Sequence, residues 1–379
     1  MRLRQLFPIT LAACLLACAG QPRGACNPNP PPGTVGAICG FANPEDVEAV
    51  PAAGLLLVSQ MRRGDRGGSL VGVPLDAVAQ RTTAPRRLWP TGQPARDVNL
   101  SPAPAGEPSC LEPPAADVFA PHGVTAAPAP AGAVRLAVVG HGGREALELF
   151  DLTGSGSDAV LAWRGCVPLP PGMSGNDVSL AADGEIMVSN YMPTMAGWRG
   201  LYYTLKGGMG GHTGSVLAWR PGSGWRELAG SASASPNGVL VTPDGAAVFY
   251  AETGSGRVSR VARAGAAAGR TPEQVAIGGN PDNLSLSPRG TILVATHTDG
   301  AAFLACAFGR TPCRTGWSLF EIEPAALRAT LLLHHDGSAV GGVASAAEHN
   351  GRVYFGAVFD DRIGVWQPQR QPAESAPGG

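Results

Sequence analysis

The sequence predicts an all-β protein, a six-bladed β-propeller almost without helix. A β-hairpin pattern recurs six times along the chain, and 53 Gly and 35 Pro supply turn-forming residues. The copies open, with one exception, on a side chain that could bind a metal or titrate. Hairpin units repeated about every 40–60 residues are typical of a propeller with one blade per unit.

The clearest copy of the hairpin pattern is NDVSLAADGEIMVSN, at Asn176–Asn190. Apolar residues alternate with polar ones on both sides of an Asp-Gly turn, as in a β-hairpin with one buried face. In three copies the turn glycine follows the first residue by eight positions, and in the others the turn length differs. The six copies begin at Glu45, His122, Asn176, Asn237, Asp282 and Gly341.

The residues that open the copies are candidate metal ligands. If equivalent strands line a central channel, equivalent positions lie at one level around the axis. Turn formation explains an Asn or Asp at the start of a single strand, but it does not explain suitable side chains at this position in five of the six copies. Oxygen donors from Glu, Asp and Asn suit a hard cation such as calcium rather than zinc. The sequence therefore predicts a central calcium site.

Residues 1–17 have the features of a signal peptide of the lipoprotein type. Arg2 and Arg4 precede a short apolar run, Leu6–Ala17, which is too short to span a bilayer as a helix. The sequence LLAC resembles a bacterial lipobox and predicts a lipid anchor at Cys18; a second candidate ends at Cys14. An ordinary secretory signal with incidental cysteines is the alternative. We expect export to the bacterial cell envelope, facing the periplasm, with membrane contact through Cys18 only.

Composition divides the remainder of the chain. A Pro/Gly-rich tether is predicted at 18–38, the propeller at 39–367 and a disordered tail at 368–379. The net charge of −1 provides no basic surface for nucleic acid. The Pro-rich segment Pro85–Pro114 predicts a long surface loop, and no role is assigned to residues 62–117.

Six cysteines remain when Cys14 and Cys18 are set aside, an even number that predicts three disulfides in an exported protein. No CxxC spacing favours a zinc or redox site. Fifteen connectivities are possible. Proximity in the sequence favours the pairs Cys26–Cys39, Cys110–Cys166 and Cys306–Cys313.

Several short sequences, in order, resemble the paraoxonase/arylesterase family of calcium-dependent lactonases, which is related to SMP-30/gluconolactonase-type propellers. The resemblance extends from Glu45 to Trp366. The matching sequences are PEDVE at Pro44, FAPHGV at Phe119, RLAVVGH at Arg135, GNDV at Gly175, PNGVLVTPDG at Pro236, PDNLSLSP at Pro281 and GVASAAEHNGRVYFGAVF at Gly342.

The resemblance implies two calcium ions with different ligands. The ligands implied for a catalytic ion are Glu45, Asn176, Asn237, Asp282 and Asn283. Those implied for a buried structural ion are Asp46, Asp177 and the backbone carbonyl of Val124. The catalytic ion would polarise the carbonyl of an ester or lactone and stabilise the developing oxyanion. The region before His122 does not match the family until FAPHGV, so the substrate pocket is expected to differ.

His122 and His141 form the predicted catalytic pair. His122 opens the second hairpin and His141 ends its return strand, so the two should lie side by side. One imidazole could accept a proton from water while the other orients it, and the resemblance implies the same dyad. The alternative for each residue alone is a satisfied polar group at a strand end, and this is the interpretation favoured for His297.

An insertion at 190–216 interrupts the repeat with aromatic residues followed by a glycine cluster. Long insertions in compact folds are often functional. Its position is similar to that of the mobile flap over the active site in paraoxonases, and a blade-edge hairpin is the alternative.

The sequence thus predicts a calcium-dependent hydrolase of lactones with arylesterase side activity, acting on a small-molecule lactone or ester. GxSxG and HExxH are absent, which argues against an α/β-hydrolase or a zinc peptidase. A sugar-lactone hydrolase with one cation, like the gluconolactonases, is the first alternative. A non-catalytic envelope propeller that binds a ligand or partner is the second.

Overall fold

The computed structural model describes residues 24–62, 67–76, 84–91, 105–193, 197–265, 268–307, 309 and 313–369. They form six four-stranded antiparallel sheets, and the first strands of the sheets surround a central channel. This arrangement confirms the six-bladed β-propeller. Each predicted hairpin is the pair of strands nearest the axis in one blade.

The strands of each blade follow one another from the axis outwards, except that the first strand of the chain completes the last blade. That strand is β1 (Val35–Cys39). Blade 1 contains β2 (Pro44–Val50), β3 (Leu55–Gln60), β4 (Ser69–Pro74) and β5 (Arg86–Trp89). Blade 2 contains β6 (Pro121–Pro128), β7 (Val134–Gly140), β8 (Ala146–Thr153) and β9 (Val160–Pro168). Blade 3 contains β10 (Met173–Leu180), β11 (Ile186–Pro193), β12 (Ser215–Arg220) and β13 (Gly224–Glu227).

The remaining blades have the same order. Blade 4 contains β14 (Pro236–Val241), β15 (Ala247–Glu252), β16 (Arg257–Ala262) and β17 (Glu273–Ala276). Blade 5 contains β18 (Asn280–Leu286), β19 (Ile292–His297), β20 (Trp317–Glu323) and β21 (Arg328–His335). Blade 6 contains β22 (Val343–His349), β23 (Arg352–Ala357), β24 (Arg362–Trp366) and β1. Short 3-10 turns occur at Pro51–Ala53, Pro130–Gly132 and Gly156–Asp158.

The ring closes through β1, which pairs with β24 along its whole length. The chain before β1 also packs on this blade, because Asn27 forms a β-bridge with Ala37. Strand β1 thus begins before residue 39, where the sequence analysis places the start of the propeller. The last repeat supplies three strands of blade 6. Residues of the predicted tether provide the fourth strand, β1, and the segment around Asn27 that pairs with it.

All three predicted disulfides are confirmed. Cys26–Cys39 fastens the N-terminal segment to the outer strand of blade 6. Cys110–Cys166 fastens the connection between blades 1 and 2 to β9. Cys306–Cys313 closes a short connection in blade 5.

Apolar side chains from facing sheets fill the spaces between blades. Leu57 of blade 1, for example, belongs to one buried cluster with Leu136 and Phe150 of blade 2. Similar clusters join the other neighbouring blades. Burial of apolar area is the main stabilising contribution in such a fold, and it holds the six inner strands around the channel.

The six inner strands all begin at one end of the channel, which we call the site end. Two α-helices lie in connections at this end: α1 (Trp198–Gly208) between β11 and β12, and α2 (Gly300–Ala307) between β19 and β20. The insertion at 190–216 thus contains a helix and is not the hairpin considered as its alternative. The Pro-rich segment predicted as a loop contains β5. Within the described parts of the chain, no helix is long and apolar enough to cross a bilayer.

Candidate functional site

Each inner strand carries a β-bulge close to its start, where the register to the second strand shifts. Bulges interrupt the ladder and redirect side chains, and they are common beside active sites. The residues in the six bulges are Glu45, His122-Gly123, Asn176-Asp177, Asn237-Gly238, Asp282-Asn283 and Ala344. Seven of the ten predicted site residues therefore lie in bulges at one end of the channel, and Asp46, Val124 and His141 lie directly beside these bulges or at the end of the neighbouring strand.

The implied ligands of the catalytic ion are all buried. Asn283 in blade 5 donates a hydrogen bond from Nδ2 to Oε1 of Glu45 in blade 1, at 2.8 Å. Four oxygens of this set are buried without any hydrogen-bond partner: Glu45 Oε2, Asn176 Oδ1, Asn237 Oδ1 and Asn283 Oδ1. These atoms come from blades 1, 3, 4 and 5; Glu45, Asn176 and Asn237 occupy equivalent positions of the ring, and Asn283 directly follows the equivalent residue of blade 5, Asp282.

Orphaned oxygens of this kind are costly, because each loses its hydrogen bonds to water without replacement. A hard cation satisfies such carboxylate and amide oxygens directly. Burial raises the pKa of Glu45 well above its usual value, and the nearby Asp46 and Asp282 raise it further. The donor set therefore fits a calcium ion. No group of three or more His, Cys, Asp or Glu side chains among the described residues forms a metal site, so the fit depends on the Asn oxygens.

Asp282 is held by a residue that the sequence analysis assigned only to a strand end. Nε2 of His297 lies 2.8 Å from Oδ2 of Asp282. The His297 ring is buried, stacks on Phe303 of α2 at 3.7 Å between ring centroids, and leaves Nδ1 without a partner. His297 is therefore a site residue that sequence reasoning missed. Because β18 and β19 pair antiparallel, His297 at the end of β19 lies opposite the start of the inner strand β18, next to Asp282.

Asp46 and Asp177, the residues implied for a structural ion, join neighbouring inner strands. One oxygen of Asp46 accepts the N–H of the next residue at 2.8 Å, and the other accepts the N–H of Val124 in blade 2 at 2.7 Å. Asp177 repeats this arrangement between blades 3 and 4, with the next residue at 2.7 Å and Val239 at 2.8 Å. The N–H and C=O of a strand residue point to the same edge, so the carbonyl of Val124 faces the channel as well.

The carboxylates of Asp46 and Asp177 are weaker candidates for cation ligands than the residues implied for the catalytic ion, because each of their oxygens already accepts a hydrogen bond. Burial nevertheless raises the pKa of Asp46 to about 7. Burial also raises the pKa of Asp177 well above its usual value, and the charge of Asp46 adds to this. A bound cation or proton would relieve this repulsion.

His122 and His141 lie together as the hairpin argument predicts. Nδ1 of His122 is 3.0 Å from Nε2 of His141. Glu145, which sequence reasoning missed, extends this pair into a chain: its Oε2 and Oε1 lie 2.8 and 3.0 Å from Nδ1 of His141. The only available signal was position, since Glu145 follows His141 by four residues in the turn between β7 and β8.

The chain Glu145–His141–His122 determines which ring nitrogens carry protons. The Glu145 carboxylate accepts the N–H at Nδ1 of His141, so Nε2 of His141 accepts the N–H at Nδ1 of His122. Nε2 of His122 is then left with its lone pair, 3.6 Å from Oε1 of Glu45. Burial, with a further contribution from His141, lowers the pKa of His122 to about 3. The ring is therefore neutral near pH 7, and the lone pair on Nε2 beside Glu45 is the position at which it could take up a proton.

A cavity of about 580 Å³ continues from the level of Asp46 and Asp177 along the channel to the opposite end. It is lined by inner-strand residues and reaches the hairpin turns at Pro51 and Pro243. His122 does not line it, so this cavity is separate from the base.

Comparison with known proteins identifies the fold. No protein-family model matches the chain, and no curated protein is significantly similar to it. A gluconolactonase from Xanthomonas campestris superimposes with a TM-score of 0.51 and 16% identity, over 91% of this chain and 98% of that protein. A luciferin-regenerating enzyme has a TM-score of 0.52 and 11% identity, over 89% and 96% of the two chains. A glucose dehydrogenase has a TM-score of 0.50 and 13% identity, over 89% and 100%.

At these identities the likeness shows the propeller fold alone. The three proteins carry the names of different enzymes, so the fold does not by itself assign a reaction. The function has to be argued from the residues at the site end.

Proposed function

We propose that the chain is a calcium-dependent hydrolase of lactones with arylesterase side activity. The observation that carries this proposal is that the four orphaned oxygens and His122 lie in bulges at the same end of the channel, with the neutral Nε2 of His122 3.6 Å from Oε1 of Glu45. Orphaned oxygens alone would fit a structural ion, and a lone histidine would fit a packing role. Together they provide an electrophile site and a base within one bulge-lined ring, which a hydrolysis reaction requires.

The residues proposed to hold the ion are Glu45, Asn176, Asn237, Asp282 and Asn283. When bound, calcium supplies a positive charge that polarises the substrate carbonyl and stabilises the developing oxyanion. Nε2 of His122 accepts a proton from the attacking water. His141 accepts the hydrogen bond from Nδ1 of His122, and Glu145 favours the positive charge that then develops on the imidazole pair. His297 orients Asp282 through its hydrogen bond.

A panel of lactones and aryl esters tests the proposal, with turnover measured before and after treatment with EDTA and after calcium is restored. We expect lactone hydrolysis that disappears with EDTA and returns with calcium. Hydrolysis that is unaffected by complete calcium removal would contradict the proposal. Absence of turnover on the whole panel would favour the non-catalytic envelope propeller, which does not require hydrogen-bonded His122 and His141.

A single-metal sugar-lactone hydrolase is the second candidate. Two observations favour it: the likeness in fold to the Xanthomonas gluconolactonase, and the hydrogen bonds already made by every oxygen of Asp46 and Asp177. The calcium content of the purified protein distinguishes the two candidates. The paraoxonase-like hypothesis predicts two calcium ions per molecule, and the gluconolactonase-like hypothesis predicts one. Preference for aldonolactones over aliphatic lactones would favour the second candidate.

A further inference from the structure

Helix α2 brings an aromatic ring to the edge of the candidate cation site. Phe303 stacks on the imidazole of His297, with 3.7 Å between ring centroids and 23° between the ring planes. The Nε2 edge of the same imidazole lies 2.8 Å from Oδ2 of Asp282. Because His297 is buried, Phe303 forms one wall of the space that fixes the imidazole. The residue that orients the candidate ligand Asp282 is therefore itself positioned by a short helix.

Phe303 is also supported from blade 6. Phe359, in the connection after β23, contacts it with 5.6 Å between ring centroids. Phe359 has a φ of 66°, in the left-handed region that a bulky residue rarely adopts, and its N–H donates to Oδ1 of Asn43, directly before β2. Such a conformation persists only where the surroundings determine it. Phe303 thus lies between the His297 ring and a second ring of fixed position.

Helix α2 is too short to keep this position by itself. It contains eight residues, and isolated helices shorter than about 12–15 residues are marginal in water. Asp299 fixes the first turn, because its Oδ1 accepts the N–H of Ala302 at 2.9 Å and its carbonyl accepts the N–H of Phe303 at 3.0 Å. The last turn is fixed covalently, through the disulfide between Cys306 and Cys313.

The disulfide ties the inward face of α2 to the propeller. Cys306 follows Phe303 by three positions, so the two side chains lie on the same face of the helix. Cys306 is 2% exposed, whereas Leu304 is 41% exposed and faces away. Cys313 is fully buried, and a Cβ at Gly341, just before β22, would lie 2.2 Å from its carbonyl oxygen. The anchor of α2 is therefore packed against blade 6.

We propose that the Cys306–Cys313 disulfide sets the calcium affinity of the candidate site, by holding Phe303 on His297 and thereby orienting Asp282. Residues that hold a metal ligand in place commonly contribute about 10–100-fold to metal affinity. Phe303 and the two cysteines are positioning residues, since they act on the ion only through His297. The inference rests on the proposed function for its cation site, and not for its reaction.

Calorimetric titration of the chelated full chain with calcium measures this effect. Cys306→Ala/Cys313→Ala should raise the dissociation constant for calcium at least about tenfold. Phe303→Ala should raise it by a similar factor, whereas Phe303→Tyr keeps the stacked ring and should bind within about twofold of the parent. The triple variant should bind no more weakly than Phe303→Ala, because the effect of the disulfide passes through Phe303.

Two controls separate calcium affinity from general stability. Leu304→Ala is matched to Phe303→Ala, because Leu304 lies in the same helix and faces away from the propeller. Cys26→Ala/Cys39→Ala is matched to the cysteine pair, because this disulfide also joins residues close in the sequence. Both controls should bind calcium within about twofold of the parent. Both cysteine variants should melt at a lower temperature, but only the one in blade 5 should bind calcium weakly.

Phe303→Ala retains every disulfide, so it tests the stacking contact even if the cysteine variant fails to fold. Parent-like calcium affinity in Phe303→Ala would overturn the inference and leave the cation site intact. Further weakening in the triple variant would also overturn it, because the disulfide would then act by another route. Absence of calcium binding by the parent would instead contradict the proposed function, so the two failures are distinguishable.

Discussion

Asn283 donates a hydrogen bond to Glu45 at 2.8 Å although the two residues are 238 positions apart. The contact joins blade 5 to blade 1, and it leaves Oδ1 of Asn283 and Oε2 of Glu45 buried without partners. Such a site exists only when the ring is closed, because its ligands come from separate blades. The candidate chemistry and the closure of the propeller are therefore expected to depend on each other.

Asn237→Ala and Asp282→Ala should each abolish most of the hydrolysis through loss of the cation. Each substitution removes an oxygen donor from the group that stabilises the oxyanion, and we expect turnover to fall at least about 100-fold. Calcium bound per protein molecule, measured by elemental analysis, should fall in parallel. Asp158→Ala is the control, since Asp158 is exposed at the opposite end. Full calcium content in both ligand variants would contradict the assigned ligand set.

The repeat could be predicted because its apolar alternation and turn glycines are local. The same alignment placed Glu45, Asn176, Asn237 and Asp282 at equivalent positions, and the structure places all four at the site end. The bulges that aim these side chains were not predictable, because a bulge is a relation between the registers of two strands. Alternation in one strand does not reveal it.

Other parts of the site escaped prediction for similar reasons. His297 has no distinguishing neighbours in the sequence and becomes a partner of Asp282 only through strand pairing. Glu145 lies in a turn where a carboxylate is ordinary. Strand β1 was assigned to the tether because its role in blade 6 depends on pairing with β24, at the far end of the chain.

His122→Gln should keep its calcium yet lower turnover. General-base assistance commonly contributes about 10²–10⁴-fold, and Nε2 of His122 is the nitrogen left free to accept a proton. His141→Gln should cost less, because His141 contacts the water only through His122. Turnover and bound calcium on one lactone substrate measure both effects. If His122→Gln retains full calcium and full turnover, His122 is not the base.

Glu145→Gln should lower turnover by roughly tenfold, less than His122→Gln does. The carboxylate favours the imidazolium that forms during proton transfer, so its loss should also move the acidic limb of the pH–rate profile to lower pH. Glu112→Gln, at an exposed residue of the same end, is the matched control. A Glu145→Gln protein with reduced turnover but an unmoved acidic limb would assign Glu145 a purely structural contact.

Calcium should raise the melting temperature of the protein. An ion that binds the folded ring and not the unfolded chain stabilises by mass action, by about 2.7 kcal/mol at 100 times its dissociation constant. Melting curves with calcium and with chelator measure the effect. An unchanged midpoint, with metal removal confirmed by elemental analysis, would show that no bound ion contributes to stability.

Without calcium, the protein should be more stable at pH 5 than at pH 8. Burial raises the pKa of Asp46 to about 7, above its usual value in an unfolded chain, and raises the pKa values of Glu45 and Asp177 in the same direction. A group whose pKa is raised by folding stabilises the fold fully below its unfolded pKa, and this contribution is lost as the pH rises through the folded value. For Asp46 the loss falls between about pH 4 and pH 7.

Asp46→Asn should flatten the pH profile of the melting temperature of the chelated protein, because it removes one titrating carboxyl. Saturating calcium should flatten it as well, since the ion replaces the protons. A chelated wild type whose melting temperature rises from pH 5 to pH 8 would contradict the assignment of these buried carboxylates.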